Sequence, residues 1–186
     1  MTRLPATPGQ TVGPFFGYAL PYEGGEQLVD RTHPAAVRLS GRVLDGDGAA
    51  IPDAIVEIWQ ADEHGTVPTA EGSLHRDGYT FTGFGRAAVD DNGMFSFTTV
   101  EPGATREGAL PFITLIVFAR GLLDRLYTRI YLPEAAERAK DDAFLSSVGD
   151  RAGTLIARRD ERGDLVFDVH MQGESETVFL DYRQKD

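Results

Sequence analysis

Alternation of apolar and polar residues dominates the chain from residue 37 onward and predicts β-strands. Residues 37–43 place apolar and polar side chains in turn, which is the period of a half-buried strand. Residues 54–59 are nearly all apolar and β-branched, which is typical of a strand buried on both faces. Residues 112–119 are the longest apolar run and predict a central strand. Residues 86–89 and 94–99 flank Asp91-Asn92-Gly93, a hairpin signal. These segments predict the centre of a β-sheet protein.

The second half of the chain adds more strands and one helix. Strands are predicted at residues 126–132, 154–159, 165–171 and 178–181. One short helix is predicted near residues 133–146, because Pro133 suits the first helical position and Glu134 suits the positive end of the helix dipole. Short, regularly spaced strands with one late helix indicate a mainly β protein of the sandwich type.

The first 34 residues follow neither period and predict an extended N-terminal arm. Pro5, Pro8 and Pro14 each lack a backbone donor and favour extended structure, so this segment does not suit the middle of a sheet. We therefore expect an arm, residues 1–34, that contacts a partner, and a single β-sandwich domain, residues 35–186. The aromatic residues of segment 15–18 either anchor the arm to another surface or pack on the chain's own body.

Charge and composition exclude several classes of partner. The net charge of −11 argues against binding to nucleic acid or to an anionic membrane surface. A small anionic substrate would need a local positive group, which draws attention to individual arginines. The chain has no cysteine, so disulfides and thiolate metal sites are excluded. It shows no signal-like or membrane-length apolar run, and we expect a cytoplasmic protein.

Several segments, in order along most of the chain, resemble the intradiol ring-cleavage dioxygenase family. They are residues 39–45 (Leu-Ser-Gly-Arg-Val-Leu-Asp), 54–61 (Ala-Ile-Val-Glu-Ile-Trp-Gln-Ala), 84–86 (Phe-Gly-Arg), 100–103 (Val-Glu-Pro-Gly), 129–132 (Arg-Ile-Tyr-Leu) and 168–173 (Asp-Val-His-Met-Gln-Gly). The resemblance implies a β-sandwich of mixed topology and a ferric iron held by two tyrosinates and two histidines. It also implies insertion of both atoms of O2 into a catechol ring between its hydroxyls.

The positions that correspond to the family's iron ligands carry no ligands in this chain. The two tyrosine positions fall at Val67 and near Thr105, and the histidine pair falls at Phe112 and Thr114. Ferric iron prefers phenolate, carboxylate and imidazole donors, and none of these four residues supplies one. The resemblance therefore implies a chain with no metal and no catalytic residue of its own.

Some members of the family pair an iron-bearing β subunit with a homologous α subunit that lacks the iron ligands. Residues 7–14 resemble the arm of that α subunit, which lines the substrate pocket of the partner, and Arg120 matches an arginine near the pocket entrance. The resemblance implies substrate-binding roles for Thr11, Gly13, Pro14 and Arg120. It also implies a homologous β subunit that holds Fe(III), an aromatic carboxylate substrate and a higher αβ oligomer.

Four alternatives remain open from the sequence. Arg120 could instead form a structural pair with Asp124 or with a loop carbonyl, and the arm could be a structural turn. The whole chain could be a non-catalytic, transthyretin-like binding module. A relocated metal site could also form in the polar loops around His64 and His75, where a solvated loop is the favoured interpretation.

Overall fold

Two β-sheets packed face to face form the part of the chain described by the computed structural model, which is residues 15–69, 76–77 and 80–182. The strands are β1 (Val37–Leu44), β2 (Ile55–Trp59), β3 (Phe84–Ala88), β4 (Met94–Thr99), β5 (Phe112–Phe118), β6 (Leu126–Tyr131), β7 (Arg158–Arg159), β8 (Leu165–Val166) and β9 (Val169–His170). One sheet has the order β4-β1-β8-β7, with β9 also paired to β1, and the other has the order β3-β2-β5-β6.

The direction of the strands makes this a mixed sandwich, as predicted. β8 and β9 run parallel to β1, whereas the other strand pairs are antiparallel. Alternate residues of β1 and β5 point into the space between the sheets, where Leu39, Val43, Ile113, Leu115 and Val117 are fully buried. In β1 the period of two in the sequence corresponds to one buried face, whereas β2 is buried on both faces from Ile55 to Ile58. The mainly β fold class is confirmed.

The predicted strand at residues 165–171 is divided into β8 and β9 by an aspartate. Both short strands keep one register with β1, so the interruption does not shift the pairing. At the break, Asp168 Oδ1 accepts a hydrogen bond from the backbone N–H of Arg42 at 2.9 Å, a position at which a strand would offer a carbonyl. The chain crosses closely over β1, because a Cβ on Gly41 would lie 1.7 Å from the Phe167 carbonyl oxygen.

Four turns share one sequence pattern, an aspartate followed three residues later by glycine. In each turn one aspartate carboxylate oxygen accepts hydrogen bonds from the backbone N–H groups two and four residues further on. In each turn the glycine has a positive φ, which L-residues with a side chain rarely adopt. The four turns are at residues 45–48, 62–65, 90–93 and 160–163. The local sequence therefore determines each of these chain reversals.

The prediction of a single helix near residues 133–146 is wrong, because two short helices occupy this region. α2 spans Ala135–Arg138 and α3 spans Ala143–Val148, and a 3-10 helix follows at Gly149–Leu155. The break has a local cause: Asp142 has an extended backbone, and its side chain accepts hydrogen bonds from the N–H groups of Phe144 and Leu145. This is the geometry of an N-cap, which begins a new helix.

Two other predicted strands are also shorter than expected. The 3-10 helix covers the start of the strand predicted at residues 154–159, which keeps only β7. The strand predicted at residues 178–181 is reduced to a single bridge between Leu180 and Tyr127.

The N-terminal segment attaches to the sandwich at several points after residue 15. A short helix, α1 (Phe16–Ala19), was not predicted. Phe16 packs against Phe118 at the end of β5, with ring centroids 6.1 Å apart, whereas Phe15 and Tyr18 are exposed. Further on, Leu28 is buried in the core. The aromatic segment therefore uses one ring on its own body and leaves two on the surface. Among the described residues, no helix has the length and hydropathy needed to cross a bilayer.

Candidate functional site

A cavity of about 180 Å³ opens at one end of the second sheet, where β5 begins and β2 ends. Its walls are mostly apolar, and no side chain among them titrates near neutral pH. The lining residues are Trp59, Gln60, Ala61, Val67, Gly103, Thr105, Leu110, Pro111, Phe112 and Thr114. The cavity therefore lies between the ends of two central strands and two loops, and it has the concave, mostly apolar form of a ligand site.

The four positions that correspond to the family's iron ligands all line this one cavity. Val67 comes from the loop after β2, Thr105 from the loop after β4, and Phe112 and Thr114 from β5. Residues 112 and 114 lie on the same face of β5 because side chains alternate along a strand. The fold thus brings together positions that are 47 residues apart in sequence, from 67 to 114.

The side chains at these positions do not fit an iron ion. A valine and a phenylalanine have no donor atom, and a threonine hydroxyl is a poor substitute for phenolate or imidazole. In the ranges that the structure describes, no group of three or more His, Asp or Glu side chains is placed to hold a metal. The cavity therefore lies where the family's iron site is expected, but its side chains do not provide the donor atoms that iron requires.

The loops that form the cavity are held by backbone hydrogen bonds around Asp62. The carbonyl of Asp62 accepts from Gly65 N at 3.0 Å and from Gly103 N at 2.7 Å, which joins the two loops. The contact is close enough to require glycine, because a Cβ on Gly103 would lie 2.5 Å from Gly65 N and 2.6 Å from Glu63 O. The cavity walls are therefore fixed by the fold and do not depend on a bound metal.

Arginine and aromatic residues pack beside the cavity. Arg129 lies over the ring of Phe112, with its guanidinium carbon 4.2 Å from the ring centroid, and over Phe144 at 4.9 Å. Its Nη1 donates to the Tyr131 hydroxyl at 3.2 Å. Burial raises the pKa of Tyr131 above its ordinary value, with the Arg129 hydrogen bond opposing that shift. Sequence reasoning missed Arg129, although its cross-strand pairing with Thr114 follows from the register.

Arg120 lies at the opposite end of β5 from this cavity. Six residues of extended chain separate it from Thr114, a span of about 20 Å. Its side chain is 61% exposed, and its Nε donates to Asp53 Oδ2 at 2.7 Å. The alternative of a structural pair between Arg120 and Asp124 is therefore wrong. The acid that Arg120 contacts is Asp53. No sequence signal pointed to that residue.

The end of the sandwich that carries Arg120 is also where the described part of the arm begins. Phe16 packs on Phe118, only two residues before Arg120. The predicted site residues Thr11, Gly13 and Pro14 lie outside the described residues. Phe16 and Arg120 therefore lie at one end of β5, and the vacant ligand positions lie at the other.

The proposed relocated metal site has no support in the described residues. The Asp62 side chain accepts hydrogen bonds from the backbone N–H groups of His64 and Thr66, so it is used in a turn. Asp62, Glu63 and His64 border a wider cavity, but they do not converge as metal ligands. His75, the other histidine of that hypothesis, lies outside the described residues.

Comparison with known proteins gives a consistent result. The sequence model of a family described as Dioxygenase matches residues 12–177. The protocatechuate 3,4-dioxygenase alpha chain of Burkholderia cepacia is 38% identical over 198 residues, which is 97% of this chain and 100% of that relative. The beta chain from the same organism is 29% identical over 172 residues, which is 83% of this chain and 70% of the beta chain.

A solved structure gives the same fold. The dioxygenase domain of a dioxygenase and carbohydrate-binding protein fusion from Streptomyces sp. SirexAA-E superposes with a TM-score of 0.59 at 23% identity. The match covers 80% of this chain and 87% of that domain. At this identity the likeness concerns the fold alone.

Proposed function

The chain belongs to the intradiol dioxygenase family, and from that premise we propose that it is the alpha subunit of a protocatechuate 3,4-dioxygenase. One observation carries the proposal: the four ligand positions meet at one cavity, and none of them holds an iron ligand. The alpha chain relative also matches over its full length, whereas the beta chain relative matches less of both chains. The chain therefore resembles the member of the pair that lacks the metal.

In this proposal the iron belongs to a homologous beta subunit. Bound Fe(III) supplies the redox chemistry by which the ring of protocatechuate is opened with O2 between its two hydroxyls, giving 3-carboxy-cis,cis-muconate. The present chain supplies no ligand to that iron, because the residues at its own four positions lack donor atoms of the required kind. Its contribution is to substrate binding and to assembly.

The arm and Arg120 are the proposed points of contact with the substrate. Thr11 can donate a hydrogen bond, Gly13 allows close approach of the backbone to a flat ring, and Pro14 offers a rigid apolar surface. Arg120 supplies a positive charge on a chain of net charge −11, which favours an aromatic carboxylate. The packing of Phe16 on Phe118 supports this proposal, because it places residue 16 of the arm at the end of β5 that leads to Arg120.

The surface around the start of the arm suits a protein partner. Phe15, Tyr18 and Leu123 are large apolar side chains that are 73%, 89% and 72% exposed. Arm residues 1–34 are proposed to contact the beta subunit, and residues 35–186 to form the body of the domain. We further propose a higher αβ oligomer and a cytoplasmic location. The comparisons give no support to the transthyretin-like binding module.

Reconstitution with the beta subunit tests the proposed function. The chain is purified alone and together with an iron-bearing beta chain, and turnover of protocatechuate is measured for both. We expect the chain alone to be colourless and inactive and the complex to be active. A chain that is coloured by tyrosinate-to-iron charge transfer and turns over protocatechuate by itself would overturn the proposal.

Deletion of residues 1–14 tests the arm separately. We expect the shortened chain to assemble with the beta subunit and the complex to show a raised KM for protocatechuate or no turnover. An unchanged KM and kcat in the assembled complex would exclude the arm from the substrate pocket.

A further inference from the structure

Asp53 and Arg120 form an ion pair that no sequence motif predicted. Asp53 lies in the loop between β1 and β2, and its side chain is only 15% exposed. Its Oδ2 accepts from Arg120 Nε at 2.7 Å, whereas the arginine side chain is 61% exposed. A mostly buried acid therefore holds the inner edge of a guanidinium whose outer part faces solvent.

The atoms used in this contact determine which face of Arg120 remains free. A guanidinium has one donor on Nε and four on the two Nη atoms, arranged in a plane. Asp53 occupies the Nε edge. In the described part of the chain, the two Nη groups of Arg120 have no hydrogen-bond or ion-pair partner. The edge formed by Nη1 and Nη2 is the one that can bind a second carboxylate with two parallel hydrogen bonds.

Asp53 differs from the turn aspartates of this chain. Those at the four Asp-x-x-Gly turns use their carboxylates to accept backbone N–H groups and so stabilise a chain reversal. Asp53 has its hydrogen bond with a side chain 67 positions away, and its other oxygen, Oδ1, is buried without a hydrogen-bond partner. Burial of a carboxylate oxygen without a partner is unfavourable, so this placement is not explained by turn stability.

We propose that Asp53 is a positioning residue for substrate recognition. It holds Arg120 so that the Nη edge meets the carboxylate of the aromatic acid in the partner's pocket. This inference rests on the proposed function, because it assigns Asp53 a role through Arg120. A free arginine side chain loses much rotamer entropy when it binds a ligand, and a tether at Nε removes part of that loss beforehand.

The negative charge of Asp53 has an opposite effect, since it weakens the attraction between Arg120 and an anionic substrate. The acid lies on the inner side of the guanidinium, farther from the ligand than the cation itself, and the outer side is open to water. Repulsion across that distance in a solvent-exposed region is small. We therefore expect orientation to outweigh repulsion and the loss of Asp53 to weaken binding.

The test uses the reconstituted αβ complex with three variants of this chain: Asp53→Ala, Asp53→Asn and Arg120→Gln. The KM for protocatechuate is measured, together with inhibition constants for 4-hydroxybenzoate and for 4-hydroxybenzamide, its uncharged counterpart. We expect Asp53→Ala to raise the KM and the inhibition constant of the benzoate by about threefold to tenfold. The inhibition constant of 4-hydroxybenzamide should not change. The KM and the benzoate inhibition constant of Asp53→Asn should lie between those of the native chain and of Asp53→Ala, because the amide oxygen can still accept a hydrogen bond from Arg120 Nε.

The outcomes separate this inference from the proposed function. If Arg120→Gln raises the KM and Asp53→Ala leaves it unchanged or lowers it, Asp53 is not a positioning residue, and the role of Arg120 stands. Equal changes for the benzoate and the benzamide would indicate a general structural effect and overturn the inference. If Arg120→Gln leaves the KM unchanged, the role of Arg120 fails, and that of Asp53 fails with it. If Asp53→Ala does not assemble with the beta subunit, the KM of Asp53→Asn is compared with that of the native chain instead.

Discussion

Glu57 and Arg86 form a buried ion pair across β2 and β3, and the arginine also fixes the N-terminal segment. Glu57 Oε1 accepts from Arg86 Nε at 2.7 Å and contacts Nη2 at 2.5 Å, and the two side chains are 10% and 14% exposed. Arg86 Nη1 donates to the carbonyl of Leu20 at 2.7 Å. Because Glu57 neutralises its charge, Arg86 can remain inside the protein while it binds the arm at Leu20.

Replacing Glu57 by alanine should destabilise the chain by about 3–5 kcal/mol, because Arg86 would keep a buried charge without a partner. The measurement is the thermal unfolding midpoint of the αβ complex. The double variant Glu57→Met with Arg86→Met should lose less stability, since it leaves no unpaired charge. Glu176→Ala serves as the control, because its pair with Arg151 is exposed. A Glu57→Ala effect as small as that control would contradict the prediction.

Restoring donors at the four vacant positions should create an iron site. The variant Val67→Tyr, Thr105→Tyr, Phe112→His, Thr114→His places two phenolates and two imidazoles around one cavity, and ferric iron accepts such donors. We expect the folded variant to retain iron after dialysis and to show a visible tyrosinate-to-iron charge-transfer band. The matched control carries only the two tyrosines and should retain less iron. A folded quadruple variant that retains none would show that these residues are not the ligand positions.

Gly103→Ala should disturb the loop that forms one wall of the cavity. The added Cβ would meet backbone atoms of Gly65 and Glu63, which cannot move aside as a flexible side chain can. We expect a loss of about 1–3 kcal/mol in the free energy of unfolding, the usual range for overpacking. Gly153→Ala is the control, because a Cβ there has no neighbour within 4 Å. Equal unfolding midpoints for the two variants would contradict this expectation.

The contact between Glu134 and Arg159 should give a small stability contribution that depends on pH. The hydrogen bond from Arg159 lowers the pKa of Glu134 below its ordinary value of about 4.3. A carboxyl whose pKa is lower in the folded state stabilises the fold above its unfolded pKa, and this contribution is lost as the pH falls through the folded value. Because the Glu134 side chain is 66% exposed, the effect should not exceed about 1 kcal/mol.

Unfolding midpoints of the native chain and of Glu134→Gln, measured in complexes with the beta subunit, check this pH dependence. Near neutral pH the native chain should be more stable than the variant, and the difference should disappear in acid, below the folded pKa of Glu134. Added salt should reduce the difference at neutral pH, since exposed charges are screened. A difference that grows as the pH falls would contradict the assigned sign.

The amino-acid sequence determined the local structure of this protein to a large extent. β4 occupies the predicted residues 94–99, and the other long strands are within two residues of their predicted limits, because alternation of side chains is a property of neighbouring residues. The Asp-x-x-Gly turns are likewise complete within a few residues. The family could also be identified from linear motifs.

Tertiary structure decided the features that join distant residues. The division of the predicted helix at residues 133–146 is a local feature by contrast, because the Asp142 side chain caps the helix that follows it. The pairs Asp53–Arg120 and Glu57–Arg86 form only where strands and loops far apart in sequence meet. The gathering of Val67, Thr105, Phe112 and Thr114 around one cavity has the same origin. Periodicity specifies which face of each strand is buried, but only the packing of the two sheets and their loops determines which side chains become neighbours.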